Sequence, residues 1–150
     1  MTIIAIAYFA VRPVFVGAIR NAERRTVLRG LVGLLTQART EAVGKGKLVR
    51  VVCDPGEGAL WAEVQVDPAT DRSRFEALRV GGREGMLLPE DFRVTRLEIA
   101  GLDVGELGRS EMYCYPDGST DGLLLMMEGP TGQEATIEVR RATGKVTLRA

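Results

Sequence analysis

The chain has 150 residues, 20 basic and 20 acidic side chains, no histidine and two cysteines, and 45% of its residues are hydrophobic. That is enough for one globular domain with a core, and it argues against disorder or a disulfide scaffold. The lack of histidine excludes the common imidazole-based hydrolase and zinc constellations, while Cys53 and Cys114 stand too far apart for a CxxC motif.

Charge is distributed unevenly. Between Arg12 and Arg50 lie nine basic residues against two acidic ones, Glu23 and Glu41, a balance of +7, so the remainder carries −7. A basic front and an acidic back fit either a membrane or other anionic partner near the first part, or a basic helix packed on its own acidic head.

Residues 1–19 are almost wholly apolar, with Ile3, Ile4, Ile6, Phe9, Val11 and Phe15 interrupted only by Arg12 and Pro13. A helix needs roughly 20 apolar residues to cross a bilayer, so a membrane or assembly helix is expected over 1–20, with Pro13 kinking it. The alternative, a core helix, leaves a helix apolar on all sides with no core to enter. No basic region precedes the run and no small-x-small site follows it, which makes it a poor cleaved signal peptide. Over 21–46 the pattern turns amphipathic. Leu28, Leu31, Val32, Leu35, Ala38 and Ala42 recur at helical spacing, Arg24, Arg25, Arg29, Thr36 and Thr40 lie mostly off that stripe, and Gly44-Lys45-Gly46 ends the helix.

From residue 47 to 150 the text changes to short alternating or β-branched runs. Eight strands are expected, over 48–53, 59–66, 75–80, 93–100, 111–115, 123–128, 135–140 and 146–149, punctuated by turn signals such as Asp54-Pro55-Gly56, Pro116-Asp117-Gly118 and Thr143-Gly144-Lys145. The expected fold class is α+β: a long N-terminal helix, apolar then amphipathic, lying on an antiparallel sheet or sandwich.

This plan, together with four phrases in order, resembles the GspH/FimT family of minor pseudopilins. The stretch LLTQARTEAVGKG, with Leu34, Leu35, Gln37, Ala38, Arg39, Glu41 and Ala42, is similar to the family's helix-ending LLxQARSEAxxRG. LLPEDFRV resembles LPxGVRL, YCYPDGSTDGLLLMM resembles the FxPDGSSSGGxI hairpin, and ATGKVTLR resembles the closing TGRVR. The resemblance implies a single-pass inner-membrane subunit with a periplasmic head, incorporated into a type II secretion pseudopilus beside other pseudopilins. It implies no cofactor and no enzymatic activity. It also implies a basic leader, a glycine, a phenylalanine and a glutamate near the helix start; setting Arg12-Pro13 on the family's early proline places that block upstream of Met1, so Met1 is expected to be an internal start. The positive-inside rule opposes this topology, because it draws Arg20, Arg24, Arg25 and Arg29 toward the cytoplasm.

Two constellations offer other readings. Asp117, Ser119, Asp121, Gly122 and Glu128 match the spacing of a calcium loop, but they fall on an expected hairpin rather than between helices, so a plain turn is the simpler account and a metal-binding β-domain the alternative. Arg140, Arg141, Lys145 and Arg149 cluster at the end of the chain, where the FimT branch carries a Gly-Arg-x-Arg element associated with DNA binding. Here one arginine is a lysine, the spacing is longer, and Glu134 and Glu138 dilute the charge, so a solvated strand end competes with a type IV pilus subunit that binds DNA. Cys53 and Cys114 fall on the apolar parity of their strands, as buried thiols or as a disulfide. Trp61, Phe75 and Phe92 read as core or interface residues, and no carboxylate pair marks a catalytic pocket.

Overall fold

The computed structural model describes residues 20–106 and 108–150, with side chains from Arg24 onward. The expected apolar half of the helix, with Ile3, Ile4, Ile6, Phe9, Val11, Pro13 and Phe15, lies outside the described residues. Among those described, no helix is long and apolar enough to cross a membrane.

Helix α1 (Arg20–Lys45) closes where the sequence changes character. Gly46 takes φ 63°, and the Lys47 amide donates back to the Ala42 carbonyl at 3.2 Å, the terminal bond of a Schellman cap that satisfies an otherwise orphaned carbonyl. Val27, Leu28, Leu31, Leu34, Leu35, Ala38 and Ala42 are buried along one side, and Val32 is half-buried at its margin. Arg25, Arg29, Thr36 and Thr40 face outward.

Ten strands follow: β1 (Val49–Asp54), β2 (Ala59–Asp67), β3 (Asp71–Leu78), β4 (Met86–Leu87), β5 (Arg93–Ile99), β6 (Leu102–Asp103), β7 (Ser110–Cys114), β8 (Leu123–Glu128), β9 (Glu134–Val139) and β10 (Val146–Arg149). They form two antiparallel five-stranded sheets, one in the order β3-β2-β1-β7 with β4 also on β2, the other in the order β10-β9-β8-β5-β6. All eight expected segments are strands. The two additions are two-residue strands at sheet edges, too short to show a period, and β3 begins four residues earlier than expected because its first residues are polar and exposed.

The helix rests on β1, β2 and β7 of the first sheet and on β10 of the second. Leu31, Leu35, Val49, Val51, Met112, Cys114, Leu97, Leu125 and Ile137 belong to one continuous core, so each sheet and the helix bury a single face into a shared interior. An isolated pair, Val52 and Trp61, sits with Ala59 and Leu87 on the opposite face of the first sheet.

Leu31 and Leu35 are 0% and 1% exposed. Replacing either with aspartate places an unpaired charge in this interior and should remove about 3–5 kcal/mol of stability, measured by urea unfolding of the purified chain, whereas Thr36→Asp on the outward side should change it by less than about 1 kcal/mol.

Candidate functional site: Arg39 and the turns it joins

Three of the phrases singled out in the sequence converge on one side chain. Arg39 leaves α1 half-buried, and its Nε donates to the Gly118 carbonyl at 3.3 Å. Gly118 lies in the turn between β7 and β8, where Tyr115 N donates to Ser119 O at 2.9 Å and Gly118 N to Tyr115 O at 2.9 Å. Gly144 lies in the turn between β9 and β10, where its amide donates to Arg140 O at 2.9 Å and Arg140 N to Lys145 O at 3.0 Å. The two turns are themselves joined, because Thr120 donates from its amide to Arg141 O at 2.7 Å and from its hydroxyl to Arg140 O at 3.1 Å. A Cβ on Gly144 would stand 2.6 Å from Gly118 O and overlap the Arg39 Cδ methylene. Both glycines also hold positive φ, 91° at Gly118 and 68° at Gly144, so backbone conformation and close approach demand the same residue.

The carboxylates of the calcium-like spacing are divided among separate tasks. Asp117 Oδ1 accepts from Ser119 N at 2.9 Å and Ser119 Oγ at 2.6 Å, closing the turn. Asp121 accepts from Tyr113 N at 2.9 Å and from the Tyr115 hydroxyl at 2.7 Å. That second bond, reinforced by burial, pushes the Tyr115 hydroxyl up to about 12. Gly122 precedes β8 against the Arg141 stem, and Glu128 ends β8, where it pairs with Arg93 at 2.6 Å. The structure thus brings Asp117, Ser119 and Asp121 into one turn and leaves Glu128 apart from them. Among the described residues, no group of three or more histidine, cysteine, aspartate or glutamate side chains is placed to hold a metal ion.

The basic end is exposed. Arg149 pairs with Glu138 at 3.5 Å, whereas Arg140, Arg141 and Lys145 take part in none of the ion pairs among the described residues. These three surround the turn that holds Gly144, next to Arg39.

The two cysteines share β-sheet neighbours but not a register. Cys114 stands opposite Val49 and Cys53 opposite Ser110, an offset of four residues along β1, or roughly 13 Å. A disulfide needs Cα atoms within about 7 Å, so the pairing alternative is excluded and both thiols are buried and free. Burial pushes each up to about 12.

Sequence reasoning missed a network on the outer face of the first sheet. Arg50 pairs with Glu63 at 2.6 Å and Glu111 at 3.7 Å and lies over the Phe75 ring at 4.0 Å. Glu63 also accepts from Trp61 Nε1 at 3.3 Å, and Tyr113 donates its hydroxyl to Glu111 at 3.0 Å. The signal was available in the alternation: Arg50 and Glu63 fall on the parity opposite to Val51 and Ala62, and the register sets them directly across from each other.

No family model and no curated protein sequence matches the chain. Solved structures do. The minor pseudopilin EpsH of the Vibrio cholerae type 2 secretion system superposes with a TM-score of 0.65 at 14% identity, covering 85% of this chain and 97% of that one. A second structure of EpsH gives 0.61 at 14% identity over 89% and 96%. The type IV minor pilin FimU of Pseudomonas aeruginosa gives 0.58 at 13% identity over 89% and 93%. The chain has a pilin-like fold. In this pilin-like fold the helix-ending phrase, the Pro-Asp-Gly turn and the closing Thr-Gly turn are far apart in sequence and adjacent in space, joined by Arg39.

Gly144→Ala should destabilise the chain by about 2–4 kcal/mol, from the positive φ and the overlap together. Arg39→Ala in the same chain should recover part of that loss, since it removes the Arg39 overlap but not the contact with Gly118 O; a double-mutant cycle by urea unfolding measures the coupling.

Both thiols should be silent toward an aromatic disulfide reagent in the folded chain and fully reactive in denaturant. Their folded pKa values lie above the ordinary value near 9, so above pH 9 the unfolded chain loses protons that the folded chain retains. Stability should therefore fall from pH 9 toward about 12, and Cys53→Ala with Cys114→Ala should flatten that decline, as seen in thermal melts across the pH range.

Proposed function

We propose that the chain is a minor pseudopilin, a structural subunit of a type II secretion pseudopilus, and not an enzyme. The observation that carries the reading is the pilin-like fold, extending over 85% of this chain and 97% of EpsH. Residues 1–20 serve as the membrane and assembly helix, contributing Ile3, Ile4, Ile6, Phe9, Val11, Pro13 and Phe15 to packing among other pilin helices. The segment 21–46 carries the head through Leu28, Leu31, Val32, Leu35 and Ala38, and 47–150 forms the head that meets neighbouring subunits. Before assembly the subunit is held in the bacterial inner membrane with its head in the periplasm. Its mechanism is mechanical: Arg39 and the shared core fix the head to the helix, so a helix drawn into a fibre carries the head with it.

One observation favours a second reading, a FimT-like type IV pilus subunit that binds DNA. Arg140, Arg141 and Lys145 are exposed, gathered around one turn and committed to no described ion pair, as phosphate contacts require. Against it stand the −7 balance after Arg50 and the Arg149–Glu138 pair.

Deleting the gene in its source bacterium separates the two. For a secretion pseudopilin, type II exoproteins accumulate in the periplasm and natural transformation is unchanged; for a DNA-binding pilus subunit, transformation falls and secretion continues. In vitro, a mobility-shift titration should show only weak association with DNA. Micromolar binding that weakens steeply with salt, with Lys145→Ala and Arg149→Ala lowering the log-log slope by roughly one unit per lost phosphate contact, would favour the second reading.

A further inference from the structure

The chain runs from an almost wholly apolar segment, 1–19, to a stripe from Val27 to Ala42 that the head buries, and a cationic band lies where one gives way to the other. From Arg20 to Thr36 the sequence carries four arginines, Arg20, Arg24, Arg25 and Arg29, against one acid, Glu23. Arg25 and Arg29 are exposed and one turn apart, so they share a face of α1. Arg24 is half-buried and stands one turn before Leu28, on the line of the buried stripe. The band therefore covers two sides of the helix at the start of the described stripe. Arg24, Arg25 and Arg29 enter none of the ion pairs among the described residues, although the sequence after Arg50 carries a balance of −7.

Height along the helix gives these charges a place. At a rise of 1.5 Å per residue, Arg24, Arg25 and Arg29 lie about 6, 7.5 and 13.5 Å along the axis from Arg20, the first residue after the apolar run. The headgroup layer of one leaflet is about 5–8 Å thick, and beyond it charge is felt over a Debye length of about 8 Å. Helical Cα–Cβ bonds tilt toward the N-terminus, so all three side chains start back toward the apolar run. With residues 1–19 in a bilayer, the band falls within the headgroup layer and its diffuse edge.

We propose that Arg24, Arg25 and Arg29 form a collar that binds anionic phospholipid headgroups of the leaflet from which the helix emerges. The inference rests on the reading of residues 1–20 as a membrane helix. The occupant is lipid and not a neighbouring copy of the chain, because a parallel copy at the same depth brings the same arginines, whereas an anionic leaflet supplies negative charge at that height and on every side of the helix. Arginine suits the task, since its planar fork takes a phosphate through two parallel hydrogen bonds.

The test uses the full chain reconstituted in phosphatidylcholine bilayers with a trace of spin-labelled phosphatidylglycerol or spin-labelled phosphatidylcholine. Electron spin resonance then reads the fraction of each lipid held at the protein surface. Phosphatidylglycerol should be held about threefold more strongly than phosphatidylcholine at low salt, and the preference should vanish by about 0.5 M salt. Replacing Arg24, Arg25 and Arg29 together with glutamine should also abolish it, and replacing the same three with lysine should keep most of it, since charge is retained. Arg72→Gln with Arg74→Gln, which removes exposed cations from β3, should leave it unchanged. Equal retention of the two lipids overturns the collar while leaving the membrane helix standing. A preference that survives both salt and the triple glutamine variant, or one that the β3 variant removes, also overturns it, because the lipid is then held elsewhere. If neither lipid shows a held fraction, the chain does not enter the bilayer, and the membrane reading fails together with the collar that rests on it.

Discussion

The structure depends on one shared interior closed by a helix that lies across two sheets. No ladder joins the two sheets among the described strands; their inward faces meet in one core, and the stripe from Val27 to Ala42 closes it, touching β1, β2 and β7 on one side and β10 on the other. Leu31, Ala38 and Ala42 are 0% exposed.

Apolar packing fixes that the helix lies on the sheets, yet leaves freedom to slide and rotate. Arg39 removes much of it. A guanidinium that must thread between two glycine turns and reach one particular carbonyl tolerates little displacement along the helix, and the requirement is reciprocal, because the turns must remain side-chain-free to admit it. Three of the four phrases that carry the resemblance, spread over more than a hundred residues, are thus the three walls of one contact. The cost of half-burying the guanidinium is offset by the Gly118 carbonyl and by the packing of its methylenes between the turns.

How far the sequence foretold this follows from where periodicity is strong. The helix end was legible because Gly44-Lys45-Gly46 coincides with the loss of the apolar stripe, and the eight long strands were legible because alternation and turn residues agreed. Strands β4 and β6 were not, since two residues show no period. Leu34 escaped the expected packing set although it is 3% exposed; a stripe read at heptad spacing is narrower than the face that two sheets cover. The cysteines teach a sharper lesson. Parity placed both correctly on the inward face, but parity repeats every two residues, and only the register of β1 with β7 shows them four residues out of step. The calcium-like spacing failed for a related reason: spacing along a chain is contact only when the chain turns back, and after Gly122 it runs straight along β8, carrying Glu128 away to Arg93.

The charges divide by what surrounds them rather than by their position in the chain. Arg50 belongs to the basic front by sequence, yet it sits on the head, neutralised by Glu63 and Glu111 and covered by Phe75. Glu63 is only 6% exposed and is held by Arg50 and by Trp61 Nε1, so its carboxylate oxygens are already engaged within the sheet. Remove Arg50 and Glu63 becomes an unpaired buried charge; keep it, and the outer face of the first sheet is close to neutral. Cations outside the ion pairs among the described residues include Arg25 and Arg29 on the exposed side of the helix, Arg72, Arg74 and Arg79 on and just after β3, and Arg140, Arg141 and Lys145 at the final turn. The +7 of the front segment is therefore not a single electrostatic surface. Part of it is consumed inside the head, at Arg39 in packing and at Arg50 in ion pairing, and the part left to meet a partner is smaller and more local than the sequence alone implies.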